Sequence, residues 1–124
     1  MNKKFLSQHL LDLSKNTKYI GKIKKFNIKK ELFNPLCGDK IVLYMLVKKR
    51  KIVDVSFESD GCMISKVGAL VSLDMIKGEN IEFLKTIEFN DILDSIGIKD
   101  MTESRKKCAF LAFEGLKSIN FKHL

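Results

Sequence analysis

Three stretches in the first half of the chain carry the hydrophobic patterns of β-strands. In residues 26–32, apolar positions beginning with Phe26 alternate with polar ones, which is typical of a half-buried edge strand. Residues 41–47 are apolar at nearly every position, which predicts a central strand covered on both faces. Residues 53–57 alternate again, and the short connections favour antiparallel pairing. The pattern therefore predicts a three-stranded antiparallel sheet.

Most of the remaining chain shows the apolar period of helices. The predicted helices cover about 3–14, 63–77, 81–86, 90–95 and 103–119. The helix 63–77 is apolar around most of its circumference, which predicts burial against the sheet, and Gly78 marks its end. Thr102 is the predicted N-cap of the last helix. The predicted fold class is α+β, with a three-stranded antiparallel sheet packed against helices in a single domain over residues 1–124.

Composition narrows the possible functions. The formal net charge is +8, from 23 Lys and Arg against 15 Asp and Glu. The basic residues are scattered and no aromatic residues alternate with them, so we expect no nucleic-acid partner. No apolar run reaches the roughly 18 residues of a membrane-spanning helix, and no signal-peptide core follows Met1, so we expect a cytoplasmic protein that does not bind membranes. In that reducing compartment, the three cysteines point to metal binding or thiol chemistry.

The loop after the first predicted strand, Asn-Pro-Leu-Cys-Gly-Asp, combines a turn signal with two potential ligands. Pro35 and Gly38 favour a tight turn. That turn presents the Cys37 thiol close to the Asp39 carboxylate, and both groups bind zinc or iron. Cys62 follows the third strand, and antiparallel pairing returns that strand to the end of the sheet where the loop lies. We therefore expect the first two cysteines to lie close together.

Cys62 and Cys108 are both associated with predicted helices. Cys62 stands at the N-terminal end of a helix, where the dipole and the free N–H groups favour the thiolate over the thiol. Cys108 shares one helix face with Leu111, Ala112, Gly115, Leu116 and Ile119. A buried structural cysteine would explain that position of Cys108 equally well. Together, Cys37, Asp39, Cys62 and Cys108 supply the four ligands of a tetrahedral metal site, and the harder carboxylate should be the most easily displaced.

These segments resemble the scaffold proteins of iron–sulfur cluster assembly, namely IscU, SufU and the N-terminal domain of NifU. The matching segments are Asn34-Pro-Leu-Cys-Gly-Asp39, Gly61-Cys-Met-Ile-Ser65, Arg105-Lys-Lys-Cys-Ala-Phe-Leu-Ala112 and, more weakly, residues 12–21. The third motif is closest to that of SufU, because Lys107 stands where IscU has a histidine before its last cysteine. The Leu-Pro-Pro-Val-Lys stretch of IscU is absent, and so is the extra segment of SufU between its second and third cysteines.

The resemblance implies two alternative functions for the four ligands. In SufU-like members they bind Zn²⁺, and the protein accepts persulfide sulfur from a cysteine desulfurase as a zinc-dependent sulfurtransferase. In IscU-like members they bind iron, assemble a [2Fe–2S] cluster and pass it to apo iron–sulfur acceptor proteins. The resemblance implies Cys37 as the sulfur acceptor in the first case and Cys108 in the second. A third alternative is a small domain that uses zinc only to fold.

Two further expectations remain open in the sequence. Arg105 and Lys107 either stabilise a thiolate or persulfide by their charge or are simply solvated cations at the start of a helix. The expected oligomeric state is a monomer or a weak dimer.

Overall fold

The computed structural model describes residues 8–35, 38–97 and 101–121, with side chains from residue 12 onward. Leu36 and Cys37 therefore lie outside the described residues, as do residues 3–7 of the predicted first helix. The elements in chain order are α1 (Gln8–Lys15), β1 (Ile28–Asn34), β2 (Asp39–Lys48), β3 (Lys51–Asp60), α2 (Met63–Ile76), α3 (Ile81–Leu84), α4 (Phe89–Ile96) and α5 (Glu103–Lys117). Among the described helices, none combines the length and apolar character needed to cross a membrane.

The three strands form one antiparallel sheet in the order β1-β2-β3, so the predicted central strand is central. The β2–β3 connection is a two-residue turn in which Lys49 and Arg50 both have positive φ, at 51° and 64°. That is the geometry of a type I′ turn, which matches the twist of a hairpin but normally recruits Gly or Asn. The Arg50 side chain forms an ion pair with Glu82 at the start of α3. Because this turn contains neither Gly nor Asn, its residue types alone do not predict the turn type.

The helices cover one face of the sheet and enclose the core. Alternate residues of β2 point into it, and Ile41, Leu43 and Met45 have no exposed surface. The helix α2 lies against them and buries most of its length, as its broadly apolar composition predicted. Gly78 adopts φ 84° directly after the end of α2, as expected for the residue that terminates a helix. The predicted α+β class, with a three-stranded antiparallel sheet packed against helices, is confirmed.

The opposite face of the sheet is covered in part by the segment that precedes β1. The prediction that Phe26 belongs to the first strand is wrong, because β1 begins at Ile28. Phe26 instead packs its ring edge-on against Tyr44, with ring centroids 5.0 Å apart. Asn27 fixes this arrangement, since its side-chain amide bonds both the N–H and the carbonyl of Val47, at 2.9 and 2.7 Å. The central strand is therefore covered at Tyr44, which is 3% exposed.

The last helix crosses α2 at very short distance. A Cβ atom on Gly68 would lie 2.0 Å from the Ala109 carbonyl oxygen, so only glycine permits this approach. Thr102 caps α5 as predicted, since its hydroxyl accepts the Arg105 N–H at 3.3 Å. The helix ends at Lys117, two residues earlier than predicted. Its inward face includes Phe113, which the predicted face omitted.

Candidate metal and thiol site

Asp39 lies at the turn between β1 and β2, where it pairs with Asn34 across the hairpin. The four-residue connection is closed by a hydrogen bond from the Gly38 N–H to the Asn34 carbonyl, at 2.8 Å. Gly38 adopts φ 75°, a backbone conformation that favours glycine. The Asp39 carboxyl group is buried, with 2% of the residue exposed. A buried carboxyl group needs hydrogen-bond partners or a cation, so its surroundings define the site.

Cys62 approaches Asp39 from the end of β3. The strand ends at Asp60, which pairs with Lys40, so the chain reaches the same end of the sheet as the β1–β2 turn. Cys62 is the N-cap of α2, and its backbone N–H donates to Asp39 Oδ1 at 2.9 Å. Its Sγ lies 3.5 Å from Asp39 Oδ2. The end of the third strand therefore brings Cys62 to Asp39, whereas the expected proximity of Cys62 to Cys37 stays a prediction, because Cys37 lies outside the described residues.

Gly61 makes this approach possible. A Cβ atom at this position would lie 2.2 Å from Asp39 Oδ1 and 2.8 Å from Asp39 Cγ. Both distances are far inside van der Waals contact, so a larger residue would displace the carboxylate or the start of α2. The glycine before Cys62 is thus a packing requirement of the site.

Cys108 reaches the site from α5. It is buried, at 7% exposure, whereas Cys62 is exposed. The close crossing of the two helices at Gly68 and Ala109 holds Cys108 near the start of α2. One donor atom from each of Asp39, Cys62 and Cys108 lies within 4.8 Å of the other two. Of the four predicted ligands, the fold brings these three together, and Cys37 lies outside the described residues.

Ser65 is a site residue that sequence reasoning missed. Its hydroxyl donates to Asp39 Oδ2 at 2.5 Å, and its Oγ lies 3.5 Å from Cys62 Sγ. The residue has no exposed surface, although serine is usually exposed. Two signals in the sequence point to it: the spacing of three residues from Cys62, which places both side chains on one side of the first helical turn, and its place in the matching segment Gly61-Cys-Met-Ile-Ser65.

A cleft of about 300 Å³ gives solvent access to the site between α2, α5 and the β1–β2 turn. It is lined by Asn34, Cys62, Ile64, Ser104, Arg105, Lys107 and Cys108. Arg105 and Lys107 are exposed at its mouth, so two positive charges lie beside the thiols. Positive charge attracts an anionic thiolate or persulfide, and the geometry is compatible with that use.

The donor set fits a thiophilic metal ion. Thiolate and carboxylate ligands bind zinc at about 2.0–2.3 Å, and the three donor atoms are close enough to reach one ion with small side-chain movements. Cys62 and Cys108 would supply sulfur, and Asp39 Oδ2 is the carboxylate oxygen nearer to the Cys62 thiol. The arrangement can therefore hold a metal through two sulfurs and an oxygen. Of the two sulfur ligands, Cys62 is exposed and Cys108 is buried.

Comparison with known proteins agrees with this geometry. Residues 6–122 match the family model for the NifU-like N-terminal domain. The chain is 30% identical to the iron–sulfur cluster assembly scaffold protein IscU of Thermotoga maritima, over 93% of this chain and 92% of that protein. It is 31% identical to the zinc-dependent sulfurtransferase SufU of Bacillus subtilis, over 89% and 85% of the two chains.

Solved structures agree with this result. FiSufU, proposed as an iron–sulfur cluster assembly scaffold protein for the SUF system of Fervidobacterium islandicum, superposes with a TM-score of 0.79 at 29% identity. That superposition covers 94% of this chain and 97% of FiSufU. The chain therefore belongs to the NifU-like N-terminal domain family, which includes the iron–sulfur cluster assembly proteins IscU and SufU.

Proposed function

We propose that this protein works in iron–sulfur cluster assembly as a SufU-like, zinc-dependent sulfur acceptor for a cysteine desulfurase. The convergence of Asp39, Cys62 and Cys108 within 4.8 Å is the observation that supports it most strongly. Cys37, two residues before Asp39, is the proposed fourth ligand. Bound zinc would keep the coordinating thiols deprotonated.

The transfer itself is a thiol–persulfide exchange. A thiolate of this chain attacks the terminal sulfur of the desulfurase persulfide, forming a new sulfur–sulfur bond while the bond to the desulfurase cysteine breaks. The desulfurase leaves as a thiolate, and no outside oxidant or reductant is needed. Cys37 is our proposed acceptor, as the resemblance to SufU implies, and the burial of Cys108 at 7% exposure does not favour direct attack by that thiol. Arg105 and Lys107 at the mouth of the cleft would attract the anionic persulfide.

The alternative is an IscU-like scaffold that assembles a [2Fe–2S] cluster and passes it to apo iron–sulfur acceptor proteins. The alignment with the Thermotoga maritima scaffold protein over 93% of this chain favours it. The buried Cys108 also suits a cluster ligand, because burial protects a thiolate from oxidation. Against it stands Lys107, which occupies the position where IscU has a histidine.

One experiment separates the two proposals. Cysteine turnover by a cysteine desulfurase is measured with and without the protein, and zinc is quantified on the same sample. The sulfur-acceptor proposal predicts about one zinc per chain, faster turnover, and loss of the stimulation in Cys37→Ser. The scaffold alternative predicts a visible-absorbing [2Fe–2S] species after anaerobic reconstitution and its transfer to an apo-acceptor. If the protein shows neither behaviour, both proposals are wrong.

A further inference from the structure

Ser65 stands out among the described residues because it is a fully buried polar side chain aimed at the proposed metal site. Its hydroxyl donates to Asp39 Oδ2 at 2.5 Å, whereas Asp39 Oδ1 accepts the Cys62 N–H at 2.9 Å. Each carboxylate oxygen thus has a separate donor from the first turn of α2. The two contacts fix the plane of the carboxylate as well as its position.

The same hydroxyl also contacts both Asp39 and Cys62. Ser65 Oγ, Asp39 Oδ2 and Cys62 Sγ form a triangle with sides of 2.5, 3.5 and 3.5 Å. The carboxylate oxygen that contacts the Cys62 thiol is therefore the one that the hydroxyl holds. Removing the hydroxyl would weaken the hold on the orientation of the carboxylate, because Oδ2 would lose its donor at 2.5 Å.

We propose that Ser65 is a positioning residue, which orients the Asp39 carboxylate so that Oδ2 faces the Cys62 thiol for metal binding. This inference rests on one part of the proposed function, which is that a metal ion binds at these ligands. Hydrogen-bonded partners of metal ligands typically change metal affinity by about 10–100-fold when they are lost. For an orienting hydroxyl beside a single labile ligand, we expect the lower end of that range.

Ser72 provides a matched control on the same helix. It is also buried, at 1% exposure, and its hydroxyl donates at 2.7 Å to the Gly68 carbonyl within α2. The Ser65→Ala and Ser72→Ala variants thus remove the same atom from the same helix, one beside the ligands and one remote from them. A loss of Zn²⁺ affinity that reflects helix stability alone should appear in both variants.

The test measures Zn²⁺ affinity by competition with a chelator and the visible spectrum of the Co²⁺-substituted protein. We expect Ser65→Ala to weaken Zn²⁺ binding about tenfold and to shift the Co²⁺ ligand-field bands. Ser72→Ala should match the wild-type protein in both measurements. In an Asp39→Ala background, Ser65→Ala should have little further effect, since the carboxylate that it orients is gone.

Other outcomes overturn the proposal in distinguishable ways. If Ser65→Ala matches Ser72→Ala in affinity and spectrum, the hydroxyl does not position the ligand. The same conclusion follows if Ser65→Ala lowers the Zn²⁺ affinity as much in the Asp39→Ala background as in the wild-type protein. Ser65→Thr keeps a hydroxyl, so affinity retained in this variant together with a loss in Ser65→Ala assigns the effect to the hydroxyl. A wild-type protein that binds no zinc overturns the proposed function together with this inference, whereas normal wild-type binding with an unaffected Ser65→Ala overturns the inference alone.

Discussion

Replacing Gly61 with alanine tests whether the carboxylate packs directly against the chain that precedes α2. The added Cβ atom would lie 2.2 Å from Asp39 Oδ1, where ordinary contact begins at 3.4 Å. The carboxylate cannot simply turn away, because the Cys62 N–H and the Ser65 hydroxyl hold it on its two sides. Either these hydrogen bonds break or the start of α2 moves away from the sheet.

The expected loss of stability combines overpacking and a weakened hydrogen bond, and the replacement of glycine offsets part of it. Overpacking of a well-filled site costs about 1–3 kcal/mol. Weakening a hydrogen bond to a charged group costs about 1.5–3 kcal/mol. Alanine restricts the unfolded chain more than glycine does, which offsets about 0.4–1 kcal/mol. We therefore expect Gly61→Ala to lower the free energy of unfolding by about 2–5 kcal/mol and Tm by roughly 10–20 °C.

A double-mutant cycle with Asp39→Ala assigns the cost to the carboxylate. The free energy of unfolding is measured by urea denaturation, followed by circular dichroism, for the wild-type protein, both single variants and the double variant. Asp39→Ala removes Oδ1 and Cγ, which are the two closest atoms, and leaves only the Asp39 Cβ at 3.0 Å. In the Asp39→Ala background, Gly61→Ala should lower the free energy of unfolding by less than about 1 kcal/mol. The coupling energy between the two positions is then more than about 1 kcal/mol. An equal cost in both backgrounds would refute the direct contact.

Three further predictions concern other parts of the structure. Gly68→Ala should lower the free energy of unfolding by about 2–4 kcal/mol and weaken zinc binding, because the new methyl group pushes α5 away from α2; urea denaturation and chelator competition measure the two effects. Iodoacetamide followed by mass spectrometry should label Cys62 at least about ten times faster than Cys108 in the folded protein, since Cys62 is exposed and Cys108 is buried, and equal rates would contradict the burial. A hydrogen bond to Glu58 and burial raise the pKa of Tyr44 to about 12, so this pair stabilises the fold below about pH 10 and the contribution is lost as pH rises toward 12. The stability deficit of Tyr44→Phe should therefore shrink over that interval, and a constant deficit would show that the pair does not cause it.

The elements of the fold could be predicted because they follow local patterns. The alternation of residues 53–57 and the apolar run 41–47 identified two strands, and the apolar circumference of 63–77 identified α2. Gly78 and Thr102 mark helix ends through their own backbone and side-chain chemistry. Such signals need only a few neighbouring residues, so one sequence contains them in full.

The contacts that shape the site could not be found in the same way. Gly61 and Gly68 look like ordinary helix-flanking or small residues until their distant partners in β2 and α5 are known. Ser65 looked like a polar residue near a helix start, which is common and usually exposed. Phe26 has the apolar character of a strand residue, yet it serves as a cover for Tyr44. In each case the partner is far away in sequence, and periodicity carries no information about it.

The structure also bears on the third alternative, a domain that uses zinc only to fold. Domains that depend on a metal for folding are small and lack a sufficient hydrophobic core. Here one apolar cluster runs continuously from β2 through α2 to α5, and residues such as Phe57, Leu73 and Phe113 are almost completely buried in it. The site lies at one end of that cluster, held by the Asp39 hydrogen bonds and the α2–α5 crossing. The core therefore supplies the stability of the fold, which leaves the site available for chemistry.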